Sequence, residues 1–169
     1  FAVSWKGGNN DEHHNHNDLG SFVVSYKGVP VLLDPGLETY TARTFSNKRY
    51  DSKLLNSYGH SVPVIGGQLQ RTGAAAKAKV VSTKFSADED RIEYDITSAY
   101  VVPGLKSYKR TFVFSRIGAG KLTVLDTAVF DRPLEFETAL MTLGTWAERN
   151  GPSFVVESKG IRLRVEVAS

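Results

Sequence analysis

The sequence contains no cysteine. Disulfides and thiolate metal sites are therefore excluded, and any bound metal must be held by His, Asp or Glu. It also lacks an apolar run long enough to cross a bilayer. No charge of one sign dominates: 21 Lys and Arg stand against 18 Asp and Glu, for a net +3, and the basic residues are scattered rather than blocked. That balance describes a solvated surface and gives no nucleic-acid footprint, although it mildly favours an anionic partner. The chain starts at Phe1, without a methionine or a signal peptide, and ends close to a strand at Ser169. Both features lead us to expect a piece cut from a longer precursor.

What remains is a globular composition of a length that fits one domain, 1–169, with enough apolar residues for a substantial core. Three of the four histidines fall in His13-His14-Asn15-His16, which leads through Asn17-Asp18-Leu19-Gly20-Ser21 into Phe22. An extended segment would place His14, His16 and Asp18 on one face. Imidazoles beside a carboxylate suit zinc. A surface turn accounts for the same residues on spacing alone, since Asn and Asp are turn formers. An expression tag does not, because the run is short, interrupted by Asn and followed directly by a hydrophobic strand.

The rest of the chain reads as strands separated by turns. Phe1 to Trp5 alternates weakly, and Gly7-Gly8-Asn9-Asn10 reads as a flexible turn. Phe22 to Tyr26 and Val29 to Leu33 flank Lys27-Gly28, a hairpin pattern. A tight turn predicts Val24 opposite Val31 and Ser21 opposite Asp34, returning that carboxylate toward the histidines. Leu37 to Gly59 has no period and is rich in Tyr, Thr, Arg, Asn and Ser, as expected of a functional loop. Ser61 to Ile65, Lys77 to Phe85, the alternating Ile92, Tyr94 and Ile96, Tyr108 to Phe114 and Leu122 to Phe130 follow as strands. Leu134 to Leu143 fits a strand or a short helix. Phe154 to Glu157 and Ile161 to Val167 form a last hairpin about Lys159-Gly160. Short strands at regular spacing with Gly and Pro turns predict an all-β antiparallel sandwich.

Four blocks in order, His14-Asn15-His16-Asn17-Asp18-Leu19-Gly20-Ser21-Phe22, Val31-Leu32-Leu33-Asp34-Pro35-Gly36 with Tyr40-Thr41, Arg49-Tyr50, and Gly59-His60-Ser61-Val62-Pro63 before Gly66-Gly67, resemble the C-terminal β-sandwich of the heparinase II/III-like polysaccharide lyases. Ordered blocks are far more specific than any single motif. The resemblance implies a structural zinc ion held by His16, Asp34 and His60, a place for His14 in the catalytic centre, and a catalytic tyrosine from the loop. Tyr50 fits that last place better than Tyr40. It further implies a periplasmic or secreted bacterial enzyme that cleaves uronic-acid-containing polysaccharides, such as heparin-like glycosaminoglycans or alginate, by β-elimination. The family's main catalytic Tyr and His lie in a preceding α/α toroid that this all-β chain does not contain. The chain alone is therefore expected to be an inactive part of a larger lyase.

In β-elimination the proton next to the uronate carboxylate is removed and the glycosidic oxygen expelled, so charge spreading onto the carboxylate needs stabilisation. A histidine can donate to that group while a tyrosine or histidine serves as base and acid. Asp18 would orient the motif or cap its turn, and Trp5 and Trp146 would belong to the core or line a sugar cleft. Arg43, Lys48 and Arg49 would attract a polyanion or form plain surface. Two other readings use the same residues: a carbohydrate-binding or structural module stapled by zinc, and a cupin-like metalloenzyme, whose barrel also carries an H-x-H pair.

Overall fold

The computed structural model describes residues 1–148 and 151–168. All strand pairs are antiparallel, as the alternating patterns and short turns predicted. In chain order the strands are β1 (Ala2–Trp5), β2 (Gly8–Asn10), β3 (Phe22–Tyr26), β4 (Val29–Leu32), β5 (Pro63–Ile65), β6 (Gly73–Phe85) and β7 (Glu89–Asp95). They continue as β8 (Leu105–Ser115), β9 (Lys121–Phe130), β10 (Phe136–Thr138), β11 (Thr145–Glu148), β12 (Ser153–Ser158) and β13 (Ile161–Glu166). One layer is a five-stranded sheet in the order β2-β6-β7-β8-β9. Facing it is the three-stranded sheet β1-β3-β4, beside which lie the β5-β10 pair and the sheet β11-β12-β13.

Burial follows the two-residue period. On β8 the face carrying Tyr108, Arg110, Phe112 and Phe114 is buried, and β9 alternates half-buried with exposed residues along its whole length. Phe112 is the centre of the layer contact: Trp5 stacks on it with ring centroids 5.4 Å apart, while Phe22 and Tyr94 meet it edge-on at 5.8 and 6.5 Å. Burying rings of this size supplies most of the force that joins the two layers.

Several boundaries differ from the sequence reading. Gly8–Asn10 is a strand rather than a flexible turn: it pairs with β6, and the buried Asn10 amide donates to the Arg71 carbonyl at 2.8 Å. The β3–β4 hairpin does turn at Lys27-Gly28, both with positive φ (49° and 78°), the conformation that two-residue hairpins require. A bulge between Val24 and Ser25 shifts the register, so Val24 faces Leu32 and not Val31. Within the ambiguous stretch 134–143 only Phe136–Thr138 is regular, and it is a strand. Trp146 lies on the added strand β11 and is exposed, outside the core, whereas Trp5 is partly buried and packs against the core.

Candidate metal centre and catalytic surface

The site residues predicted from sequence sit on two irregular segments at one end of β3 and β4. The first, 11–21, leaves β2 and enters β3. His14 has φ 58°, in the left-handed region, so the segment is not extended and the predicted common face of His14, His16 and Asp18 is not formed. The kink sends the exposed His14 to a different neighbourhood from the half-buried His16. Backbone bonds hold the turns on either side: Asn15 N–H donates to the Glu12 carbonyl at 3.1 Å, Asn17 N–H to Leu55 at 3.0 Å and Ser21 N–H to Asp18 at 2.9 Å.

The second segment, 33–62, contains the long loop predicted from Leu37 to Gly59, and three short 3-10 turns give it shape: Arg43–Phe45, Arg49–Asp51 and Ser57–Gly59. Glu38 is its hub. One carboxylate oxygen accepts from Arg43 Nη2 at 2.6 Å and from Thr44 Oγ1 at 3.3 Å, the other from Ser52 Oγ at 2.6 Å. The Ser52 hydroxyl and Arg43 hold this carboxyl below its ordinary value. Arg49 joins the two segments: Nε and Nη2 both donate to the Asn15 carbonyl, at 3.1 and 2.9 Å, and Nη1 donates to the Thr44 carbonyl at 3.0 Å. Gln70 adds a third tie, its amide pairing with the Leu19 N–H and C=O at 3.0 and 2.8 Å. Neither Arg49 nor Gln70 was singled out for this role from sequence, because both bond to backbone and leave no side-chain pattern.

This scaffold brings His16, Asp34 and His60 together, with one candidate donor atom from each lying within 4.8 Å of the others. His60, fully buried, follows directly after the Ser57–Gly59 turn. Its Nδ1 pairs with Asp34 Oδ2 at 2.7 Å, and Asp34 Oδ1 accepts from the Gly36 N–H at 2.9 Å. The His16 and His60 rings lie 5.2 Å apart, and the Nε2 atoms of both are buried with no hydrogen-bond partner. Leaving two buried imidazole nitrogens unsatisfied costs free energy that an electrophile between them would recover. Two imidazoles and one carboxylate form a donor set that fits a borderline ion.

Electrostatics favour the ligating forms. Burial and the neighbouring His60 push the His16 pKa down and keep the ring neutral. For Asp34, burial acts to raise the pKa but is outweighed by the hydrogen bonds from His60 and Gly36, so the carboxyl is held below its ordinary value. Asp18 differs: burial pushes its pKa up, and its Oδ1 is buried without a partner.

The other predicted site residues lie alongside. Tyr40, and not Tyr50, touches His14: the hydroxyl lies 3.1 Å from Nδ1, and the rings are parallel within 4° at 5.9 Å. Phe45 packs edge-on against Tyr40 at 5.3 Å and is 69% exposed. Tyr50 accepts from the Asn15 amide at 3.3 Å, so it flanks the same segment one residue away.

A family model described as heparinase II/III-like, C-terminal, matches residues 2–142. The chain belongs to this family. No curated protein matches it. The family match covers both irregular segments and every strand from β1 to β10, and it displaces the cupin-like alternative. The β11–β13 sheet follows the matched residues and packs against β4 through β12 and β13.

Proposed function

We propose that this chain is the β-sandwich module of a polysaccharide lyase, binds one zinc ion through His16, Asp34 and His60, and helps to cleave uronic-acid-containing polysaccharides by β-elimination. The observation that carries the reading is the convergence of these three side chains, with two buried, unpartnered imidazole nitrogens, in a member of the heparinase II/III-like family. We take the active enzyme to be periplasmic or secreted, with an α/α toroid preceding this module and supplying the remaining catalytic groups.

Zinc, when bound, would supply a cross-link and positive charge that lock the two segments against each other. The chain's own residues would act beside the groups of the toroid. His14 is exposed beside the ligand segment, and a Tyr40 hydroxyl donating to Nδ1 leaves the ring proton on Nε2, the nitrogen that would donate to the uronate carboxylate. That donation stabilises the charge that spreads onto the carboxylate as a basic Tyr or His of the toroid takes the proton of the neighbouring C–H bond. The Tyr50 hydroxyl, which accepts from the Asn15 amide and keeps its own proton free, would give that proton to the departing glycosidic oxygen as the carbon–carbon double bond forms. The Arg49 guanidinium forms no ion pair with a carboxylate among the described residues and would add long-range attraction for a polyanion.

A second reading, a sugar-binding module without catalysis, is favoured by the exposed rings of Tyr40, Phe45 and Tyr58 around the same segments. One experiment separates the two. The full-length lyase is assayed for unsaturated product, read by ultraviolet absorbance, on heparin-like and alginate polymers, and then as His14→Ala. Product that falls with His14→Ala supports the lyase reading. Binding without product from the full-length protein supports the module. Product from the present chain alone would contradict the assignment of catalytic groups to the toroid.

A further inference from the structure

Arg110, in the middle of β8, is 1% exposed and stands directly opposite Asp126 on β9. Its Nε and Nη2 donate to the two Asp126 oxygens at 2.7 and 2.8 Å, and the Tyr108 hydroxyl donates to the same carboxylate at 2.8 Å. Nη2 also reaches Thr138 Oγ1 at 3.5 Å. One nitrogen is left over. Nη1 donates at 2.8 Å to the Gly20 carbonyl and at 2.8 Å to the Ser61 carbonyl. Gly20 closes the turn that follows His16, and Ser61 is bonded to His60. A single guanidinium nitrogen therefore joins the two segments that carry the histidines, from the sheet beneath them.

We propose that Arg110, oriented by Asp126, is a positioning residue of the metal centre: it sets the separation of the His16 and His60 segments, so the ligands stand together before the ion arrives. This rests on the metal-binding reading above. Stability alone does not call for such a group, because a buried ion pair replaced by apolar residues of equal volume is often neutral or stabilising. An apolar side chain cannot supply two donors to two carbonyls. Nor does lysine replace it, since an ammonium lacks the planar fork that engages a carboxylate and two further acceptors at once.

The test uses the metal-free chain and Co2+, whose visible absorption reports both affinity and ligand geometry. Arg110→Lys is compared with wild type and with Phe112→Leu, a buried neighbour on the same strand that bonds neither carbonyl. Titrations are run at a temperature where circular dichroism finds every variant folded. Contacts that hold metal ligands in place support metal affinity, and loss of such outer contacts typically lowers it about 10- to 100-fold. Arg110→Lys is expected to weaken Co2+ by that factor and to alter the absorption band, while Phe112→Leu keeps the wild-type affinity and spectrum. Equal affinity in Arg110→Lys, or an equal loss in Phe112→Leu, overturns the proposal. Should Arg110→Lys not fold, Asp126→Asn takes its place with the same criteria. If the wild type takes up neither Co2+ nor zinc, the metal reading itself fails. Amide hydrogen exchange is read separately: unchanged exchange of residues 15–21 and 60–62 in the Arg110 variant overturns the positioning role whatever the metal result.

Discussion

Replacing Gly20 by alanine tests whether the ligand segment is as tightly seated as its contacts imply. Gly20 has φ +80°, and a Cβ built there would lie 2.7 Å from Ile96 Cδ1 and 3.3 Å from Arg110 Cδ. Ile96 is fully buried, and Arg110 is pinned by its hydrogen bonds, so neither neighbour has room to yield. The left-handed backbone costs an alanine about 1–2 kcal/mol, and overpacking in a filled site adds about 1–3 kcal/mol. The expected loss is therefore about 2–5 kcal/mol, a large share of the stability of a domain this size. Gly28→Ala is the internal control. Its φ is +78°, but nothing lies within 4 Å of the added carbon, so it should lose only the backbone part. Urea unfolding of both variants, followed by tryptophan fluorescence, measures the difference at constant m-value. Equal losses, or a Gly20→Ala loss below about 0.5 kcal/mol, within the range of an ordinary surface change, would refute the packing argument.

Truncating Phe112 to alanine removes the ring that Trp5, Phe22 and Tyr94 pack against and should cost about 3–5 kcal/mol by the same urea assay. Through His16 and Asp34 the stability of the metal-free protein should rise with pH, because the folded pKa of each lies below its unfolded one and the unfolded chain binds more protons, while Asp18, pushed up by burial, works in the opposite sense above its ordinary value of 3.8. The His16 contribution is complete above its ordinary value of 6.5 and is lost as pH falls below that; the Asp34 contribution is complete above 3.8 and fails only in stronger acid. Thermal unfolding between pH 7 and 5 should accordingly show a falling midpoint, and His16→Ala should flatten it. Tyr40→Phe deletes one partly exposed hydrogen bond to His14, worth about 1 kcal/mol. It should lower the melting temperature by no more than about 2–4 °C while lowering kcat/KM of the full-length protein on a uronate polymer about fivefold.

Much of the fold was legible because burial on one face writes itself into every second residue. Ile92, Tyr94 and Ile96 point inward as their alternation implied. Strand β2 was hidden because its three residues, Gly8, Asn9 and Asn10, carry no apolar period and pair mainly through backbone. A bulge of one residue displaced the β3–β4 register, and local pattern does not encode bulges. The candidate metal cluster was legible through the ordered blocks and not through periodicity: the expected extended run of histidines is broken by the left-handed His14, and His16 meets Asp34 and His60 across loops whose path depends on Glu38, Arg49 and Gln70. Arg110 resembled surface charge beside Lys106 and Lys109, since a lone arginine in a strand gives no hint of the Asp126 opposite or of the carbonyls above it. Tyr40 was ranked below Tyr50, and the contact that distinguishes them, ring on ring with His14, depends on the same unpredictable kink.

The most direct test of the account is the metal content of the chain, purified without exposure to a nickel column and measured by elemental analysis beside His16→Ala and His60→Ala. About one zinc per wild-type chain is expected, with metal and part of the thermal stability lost in both variants. Wild-type protein that remains metal-free after incubation with zinc, with a melting temperature unmoved by the ion, would contradict it.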